Sequence, residues 1–249
     1  MHTRDHNREF QDNARKYAYD FDYVLRRFMM RSLQPFTVNG NALEMGCFEG
    51  EMTELLAQRF GELTVIEAAS ELIARARQRV PERVNFVESL FEKADFAGQF
   101  DNIFLVHTLE HLDDPVAVMR QVTGWLRPGG RFMVVVPNAN APSRQIAVKM
   151  GLISHNSAVT SAEFEHGHRV TYSFDTLERD VRTAGFDIIH RGGVFFKPLA
   201  NSQFDQLMQT DIISPEYLEG CYTLGMQYPD LCASIFLVCE YVMPRGLHA

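Results

Sequence analysis

The sequence predicts an α/β protein whose doubly wound sheet has seven mostly parallel strands, with a helical lid ahead of it. Three observations predict this fold. From residue 37 onward, short apolar runs alternate with helical patterns, the signature of repeated βα units. The first apolar run passes through a glycine-bearing turn straight into a helix, where the missing Cβ lets the backbone approach a ligand. Aromatic and aliphatic residues recur at helical intervals over residues 8–33, before the first strand.

The chain of 249 residues is long enough for one substantial core and calls for no second domain. We expect a lid at 1–36 and a sheet domain at 37–249, with substrate or lid insertions near 138–173 and 198–232. With 46% hydrophobic and 22% charged residues, the whole length should fold. A net charge of -8, with no lysine-rich run to offset it, repels phosphate backbones, so nucleic acid is excluded as a partner. The four cysteines lack metal-ligand spacing and read as reduced thiols. No signal peptide and no bilayer-spanning apolar window is present, which places the protein in the cytoplasm with no membrane partner. A homodimer is left open as the assembly.

Taken in order, Phe10, Tyr17, Phe21, Val24, Leu25 and Phe28 mark one or two amphipathic helices that end at Pro35, whose ring cannot continue a helix. Strands follow at 42–45, 63–67, 84–87, 102–106 and 131–136, with helices at 50–60, 70–79 and 115–126. The last of these helices is closed by the turn Arg127-Pro128-Gly129-Gly130. A polar, irregular stretch then runs from Pro137 to about Tyr172, and a connection of that length in a compact domain usually serves function. Beyond it we expect a helix at 174–184, a strand at 186–189, two helices within 201–228 and a last strand at 235–241.

The first turn reads Leu43-Glu44-Met45-Gly46-Cys47-Phe48-Glu49-Gly50. A dinucleotide pyrophosphate site wants GxGxxG, and its absence argues against a nicotinamide-dependent dehydrogenase. An acid before the glycine suits a cationic ligand instead. Glu67 closes the second strand, where a carboxylate can accept hydrogen bonds from both ribose hydroxyls.

With Val65-Ile66-Glu67, Phe100-Asp101-Asn102-Ile103, Leu109-Glu110-His111-Leu112-Asp113-Asp114-Pro115 and Leu126-Arg127-Pro128-Gly129-Gly130, these motifs stand in a fixed order over roughly residues 40–137. There the chain resembles the class I S-adenosylmethionine-dependent methyltransferases, particularly the ubiquinone-biosynthesis-like branch. The resemblance implies a Rossmann-like fold with S-adenosyl-L-methionine as cofactor. It places Gly46 and Gly50 beneath the methionine part, Glu44 near the ammonium, Glu67 on the ribose and Ala68 by the adenosine. It also places Ser89 and Leu90 near the adenine, and Val106 and His107 along the cofactor. Ser89 stands where that family often has an acid. A weaker similarity, through Gly167-His168-Arg169-Val170-Thr171-Tyr172 and Gly192-Gly193-Val194-Phe195-Phe196-Lys197-Pro198, points to methyltransferases of bacterial saccharide or secondary-metabolite pathways.

Methyl transfer from a sulfonium asks the protein to align a nucleophile and, where necessary, to take its proton. His107, His166, His168 and Tyr172 are the catalytic candidates, imidazole being suited to a base by its near-neutral pKa. His111 reads more readily as a residue that orders its loop. Asn138, Asn140, Arg144, Arg169 and Lys197 are the candidates for binding a polar or anionic small-molecule substrate, although an Asn- and Pro-rich turn or a solvated lysine would look the same. No metal is expected, because a single HxH lacks a clear third ligand.

The leading expectation is methyl transfer to O or N of a small polar, anionic metabolite. The alternatives are intramolecular cyclisation of S-adenosylmethionine, with Asn138, Asn140 and Tyr172 around its amine and methylthioadenosine released, and a non-catalytic S-adenosylmethionine-binding protein.

Overall fold

The computed structural model describes residues 19–241 apart from 97 and 166, so Phe10, Tyr17, most of the expected lid and His166 lie outside the described residues. A seven-stranded sheet in the order β3-β2-β1-β4-β5-β7-β6 forms the centre. Its strands are β1 (Ala42–Met45), β2 (Leu63–Glu67), β3 (Asn85–Glu88), β4 (Phe100–Val106), β5 (Leu126–Pro137), β6 (Asp187–Phe196) and β7 (Cys232–Glu240). All run in one direction except β7, which is antiparallel to β5 and β6. The buried parallel strands read as continuous apolar runs, as a sheet covered on both faces requires.

The described helices are α1 (Asp20–Leu33), α2 (Glu51–Arg59), α3 (Ser70–Ala76), α4 (Pro115–Trp125), α5 (Pro142–Lys149), α6 (Ser161–Glu165), α7 (Phe174–Thr183), α8 (Asn201–Met208) and α9 (Pro215–Gln227). None of them is long and apolar enough to cross a membrane. One core cluster joins Phe21, Leu25, Met29 and Leu33 of α1 to Leu56 of α2, Phe195 and Phe204. A second joins Leu43, Ile103 and Val134 of the sheet to Val118 and Trp125 of α4 and Leu177 of α7.

Helix α1 is therefore built into the core. Phe21 is fully buried and stacks on Phe204 with centroids 4.2 Å apart. The Asp205 carboxylate of α8 accepts from the first backbone amides of α1, Asp20 at 3.2 Å and Phe21 at 2.9 Å, and so supplies the cap that no residue of α1 provides.

Several element ends shift by one to three residues, and three regions differ more from the sequence expectation. Strand β5 begins at Leu126, pairing with Phe100, so the Arg127-Pro128-Gly129-Gly130 turn lies inside it. Strand β6 continues to Phe196 through Gly192 and Gly193, which are small because their neighbours press in. A Cβ on Gly192 would lie 2.4 Å from the Phe236 ring, and one on Gly193 would lie 2.5 Å from the Pro229 carbonyl. The stretch expected to be irregular contains α5 and α6, with Pro142 in the first turn of α5, where its missing N–H costs nothing.

Candidate active site

Ligands of doubly wound sheets bind at the carboxyl ends of the strands where the order reverses, here between β1 and β4. On the β1 side the chain leaves Met45 into Gly46, whose φ of +80° favours glycine. A Cβ there would also lie 2.8 Å from the Thr108 hydroxyl. Gly50 (φ +92°) precedes α2, and its Cβ would meet the Ala76 backbone at 2.8 Å. The turn is thus bare of side chains at both glycines.

Glu67 is fixed beside this turn. One of its oxygens accepts from the amides of Ala68 (2.8 Å) and Ala69 (2.9 Å), and the other from the amide of Cys47 (3.2 Å). Three backbone donors orient the carboxylate at the tip of β2. The Ser89 amide donates to the Glu67 carbonyl (3.1 Å) and its hydroxyl to the Leu90 carbonyl (3.0 Å), which ties the end of β3 to β2. Glu44 is 1% exposed, and its Oε2 has no hydrogen-bond partner. Burial pushes its carboxyl up to about 8, against the pull of the Thr53 hydroxyl and the Arg26 guanidinium. A buried acid with an orphaned oxygen, directly before a bare turn, suits a cationic nucleoside. These residues fit S-adenosylmethionine.

On the other side, Val106 ends β4 half-buried and His107 adopts a φ of +50°, uncommon for a non-glycine residue and costing of order 1–3 kcal/mol. Its amide donates to the Val135 carbonyl and its Nε2 lies 2.9 Å from the Ser234 hydroxyl. Burial holds this imidazole well below its usual range, and Arg26 and the neighbouring histidines push the same way, so it is neutral near pH 7.

His107 opens onto a cavity of about 560 Å³. Its walls come from α1 (Asp22, Leu25, Arg26), the end of β4 and the turn after it (His107, Glu110, His111), the segment after β5 (Ser143, Arg144, Glu163, His168) and the end of β6 (Lys197). Among the described residues Arg26 makes one hydrogen bond, to the Asp22 carbonyl at 3.3 Å, and no ion pair. Lys197 donates to the Asn201 side chain at 2.6 Å, and burial pulls its ammonium down to about 8. Asp22 accepts from Asn201 at 2.8 Å, and burial pushes it up to about 6. Burial raises Glu110 to about 8. In a chain of net charge -8 this cavity is a cationic spot, because Arg144 and Glu163 cancel each other.

The structure gathers His107, His168, Lys197, Asn138 and Arg144 on this cavity but commits several of them elsewhere. Arg144 pairs with Glu163 at 2.5 Å and also donates to the Asn156 and Ala158 carbonyls, so its guanidinium holds the 138–165 segment together and is not offered to substrate. Burial acts to raise the Glu163 carboxyl, but the Arg144 and Thr160 hydrogen bonds outweigh it and hold it below its usual range. Asn138 spends its amide on the Asp230 and Cys232 carbonyls, both at 2.9 Å, and its oxygen on the Asn140 amide at 2.9 Å. Asn140 accepts from Asn156 at 3.3 Å and does not line the cavity.

Tyr172 is 1% exposed and lies in the core, its hydroxyl donating to Asp180 at 3.3 Å. Burial pushes its phenol far above the usual range, so it serves packing and holds no position at the cavity. Arg169 is exposed, reaching Asp113 at 3.4 Å and covering the Phe164 ring, outside the cavity wall. Sequence reasoning missed Arg26, Asp22, Glu110 and Ser234. Asp22 and Arg26 did leave a signal, being a charged pair four residues apart on an amphipathic helix.

Comparison with known proteins gives a consistent result. The family described as Methyltransferase domain matches residues 10–191. A ubiquinone biosynthesis O-methyltransferase of Xanthomonas campestris pv. campestris (strain B100) is 33% identical over 187 residues, covering 72% of this chain and 73% of its own. One of Xanthomonas axonopodis pv. citri (strain 306) is 26% identical over 197 residues, covering 76% and 80%. Among solved structures, a possible histamine N-methyltransferase of Thermotoga maritima shares the fold with a TM-score of 0.65 at 18% identity, over 94% of this chain and 100% of that one. The N-methyltransferase NodS of Bradyrhizobium japonicum, solved with S-adenosyl-L-homocysteine, has a TM-score of 0.57 at 17% identity, over 94% and 99%.

Proposed function

The chain belongs to the Methyltransferase domain family and is an S-adenosylmethionine-dependent methyltransferase; from that premise we propose that it methylates an oxygen of a small anionic metabolite. The observation that carries this reading is the pair of cations Arg26 and Lys197, which face one cavity without an ion pair among the described residues, while the nearby acids Asp22 and Glu110 are pushed by burial toward their neutral forms. Each charge-assisted hydrogen bond from such a cation is worth about 1.5–3 kcal/mol. Transfer to oxygen agrees with the relatives named as O-methyltransferases.

When bound, S-adenosylmethionine supplies a methyl group on a cationic sulfur. In this reading Glu67 orients the nucleoside, the Gly46 and Gly50 turn passes beneath the methionine part, and Glu44, held protonated near pH 7 by burial, gives up its proton when the cationic ligand arrives beside it. Arg26 and Lys197 hold the acceptor's anionic group and fix its hydroxyl toward the end of β4. His107, neutral and braced by Ser234, stands at that end to accept the hydroxyl proton. Helix α1, which carries Arg26, roofs the cavity and keeps bulk water from the reacting atoms. Cyclisation would need free polar groups around an amine, and Asn138, Asn140 and Tyr172 are spent on the protein itself.

A panel of small hydroxylated carboxylates and phosphates, with neutral and amine analogues beside them, tests this. The expected result is S-adenosylhomocysteine formed in step with the methyl ether of an anionic member. Turnover confined to neutral amines, or release of methylthioadenosine, would overturn it.

A further inference from the structure

The acceptor cavity has two unlike walls. One carries Arg26 on α1 and Lys197 after β6. The other is formed by the turn after β4 and the chain leading into α7, and it carries Glu110 and Thr171. Glu110 is 2% exposed and Thr171 7%. Neither Oε2 of Glu110 nor Oγ1 of Thr171 has a hydrogen-bond partner among the described residues. Buried polar atoms without partners are costly, and native proteins keep few of them without a use.

Backbone hydrogen bonds bring the two side chains to one wall. The Arg169 amide donates to the Glu110 carbonyl at 2.7 Å, which holds residues 169–172 against the turn Leu109–His111. The Ala139 amide donates to the Tyr172 carbonyl at 2.7 Å and fixes the far end of that segment beside the chain after β5.

The acids of the cavity are not equivalent. Glu163 is matched by Arg144, and Asp22 accepts from Asn201. Oε1 of Glu110 lies 4.0 Å from Nε2 of His111, beyond hydrogen-bond range. Burial pushes the Glu110 carboxyl up to about 8, against the pull of a backbone hydrogen bond and of the Arg26 guanidinium. A purely anionic ligand on Arg26 and Lys197 adds negative charge near this acid and leaves both unmatched oxygens as they are. A ligand that also carries a hydrogen-bonding cation meets them.

We propose that the acceptor is a zwitterion, with its anionic group on Arg26 and Lys197 and an ammonium group on Oε2 of Glu110 and Oγ1 of Thr171. This assignment rests on the acceptor site described above and names its substrate class, a small hydroxylated amino acid or a compound with the same two charges. An ammonium has donors and no acceptor, so it suits two oxygens that lack donors. Its charge favours the ionised acid, and Glu110 gives up its proton as the ligand seats. The hydrogen bond from Thr171 satisfies the buried ion pair further, as such a pair requires. A cavity of about 560 Å³ holds a small molecule with both groups. A site built to hydrogen-bond a group rejects the analogue that lacks it.

Matched probes test this on the full chain with S-adenosylhomocysteine bound. Serine, homoserine and tyrosine are titrated by calorimetry, each beside the hydroxy acid that lacks the amine and the hydroxy amine that lacks the carboxylate. In at least one set the amino acid should bind about tenfold or more tighter than either analogue. Glu110→Gln should bring that amino acid to within about threefold of its hydroxy acid, and Thr171→Val should narrow the gap by roughly threefold. Both variants should still bind S-adenosylmethionine, which shows that they fold. Hydroxy acids that bind as tightly as the amino acids, a preference that survives Glu110→Gln, or binding by no set would overturn the zwitterion site. Methyl ethers formed from hydroxy acids in the first of these cases would leave the reading of an anionic acceptor standing without it. Methylation of the amine in place of the hydroxyl, with the Glu110-dependent preference intact, would overturn transfer to oxygen and leave the zwitterion site standing.

Discussion

In the reading proposed above, the cofactor half and the acceptor half of the crevice are built by different means. The cofactor half comes from short contiguous stretches at the ends of neighbouring strands, residues 44–50, 67–69 and 89–90, and the Glu67 carboxylate is held by backbone amides of its own turn and of the adjacent β1 turn. The acceptor half draws Arg26 from α1, His107 from the end of β4, His168 from the long connection after β5, Lys197 from the end of β6 and Ser234 from β7. The first depends on conformations that few residue types permit. The second depends on charges placed by packing, so its specificity can change while the turn at Gly46 and Glu67 stays as it is.

The sharpest test of this contrast is Glu67→Ala. Loss of the carboxylate should weaken S-adenosylmethionine binding by roughly 100-fold or more, on about 1.5–3 kcal/mol per charged hydrogen bond. Calorimetry reads it directly, and a change below threefold would displace the cofactor half from where we put it. Next, Arg26→Met or Lys197→Met should raise KM for the anionic acceptor about 10- to 100-fold, with cofactor affinity within about twofold of wild type. Equal losses for both ligands would erase the distinction between the halves.

Lys197 also makes a pH prediction. Its usual value of 10.5 is pulled down to about 8 by burial, with Asp22 and Glu163 opposing and Arg144 assisting. The ammonium is therefore present below about pH 8 and is lost as the pH rises through that value, so acceptor KM should climb across this range. Lys197→Arg, which stays charged, should keep KM flat there. The smallest expected effect is that of Tyr172→Phe, which removes the hydrogen bond to Asp180 and should cost about 1 kcal/mol in urea unfolding with kcat unchanged. A large fall in kcat at unchanged stability would return Tyr172 to the chemistry.

The strands β1 and β2 have the bounds that their apolar runs mark, residues 42–45 and 63–67, because a strand covered on both faces is mostly apolar and these runs end at Gly46 and Glu67. Strand β6 was legible only in its first half, since Gly192 and Gly193 resemble a turn until Phe236 and Pro229 are seen pressed against them. Arg144 and Lys197 look alike in sequence, as cations after strand ends. Only the contacts separate them, Arg144 being matched by Glu163 and two carbonyls, Lys197 left with Asn201.

By itself the sequence determined the doubly wound sheet, the bare first turn and the carboxylates flanking it, because hydrophobic period and glycine content act through local conformation. Tertiary structure alone decided which polar side chains face the acceptor cavity and which are consumed inside the protein. A charge or hydrogen-bonding group gives no sign of its partner within its own stretch of chain; the partner is chosen when distant segments pack together and exclude water around both.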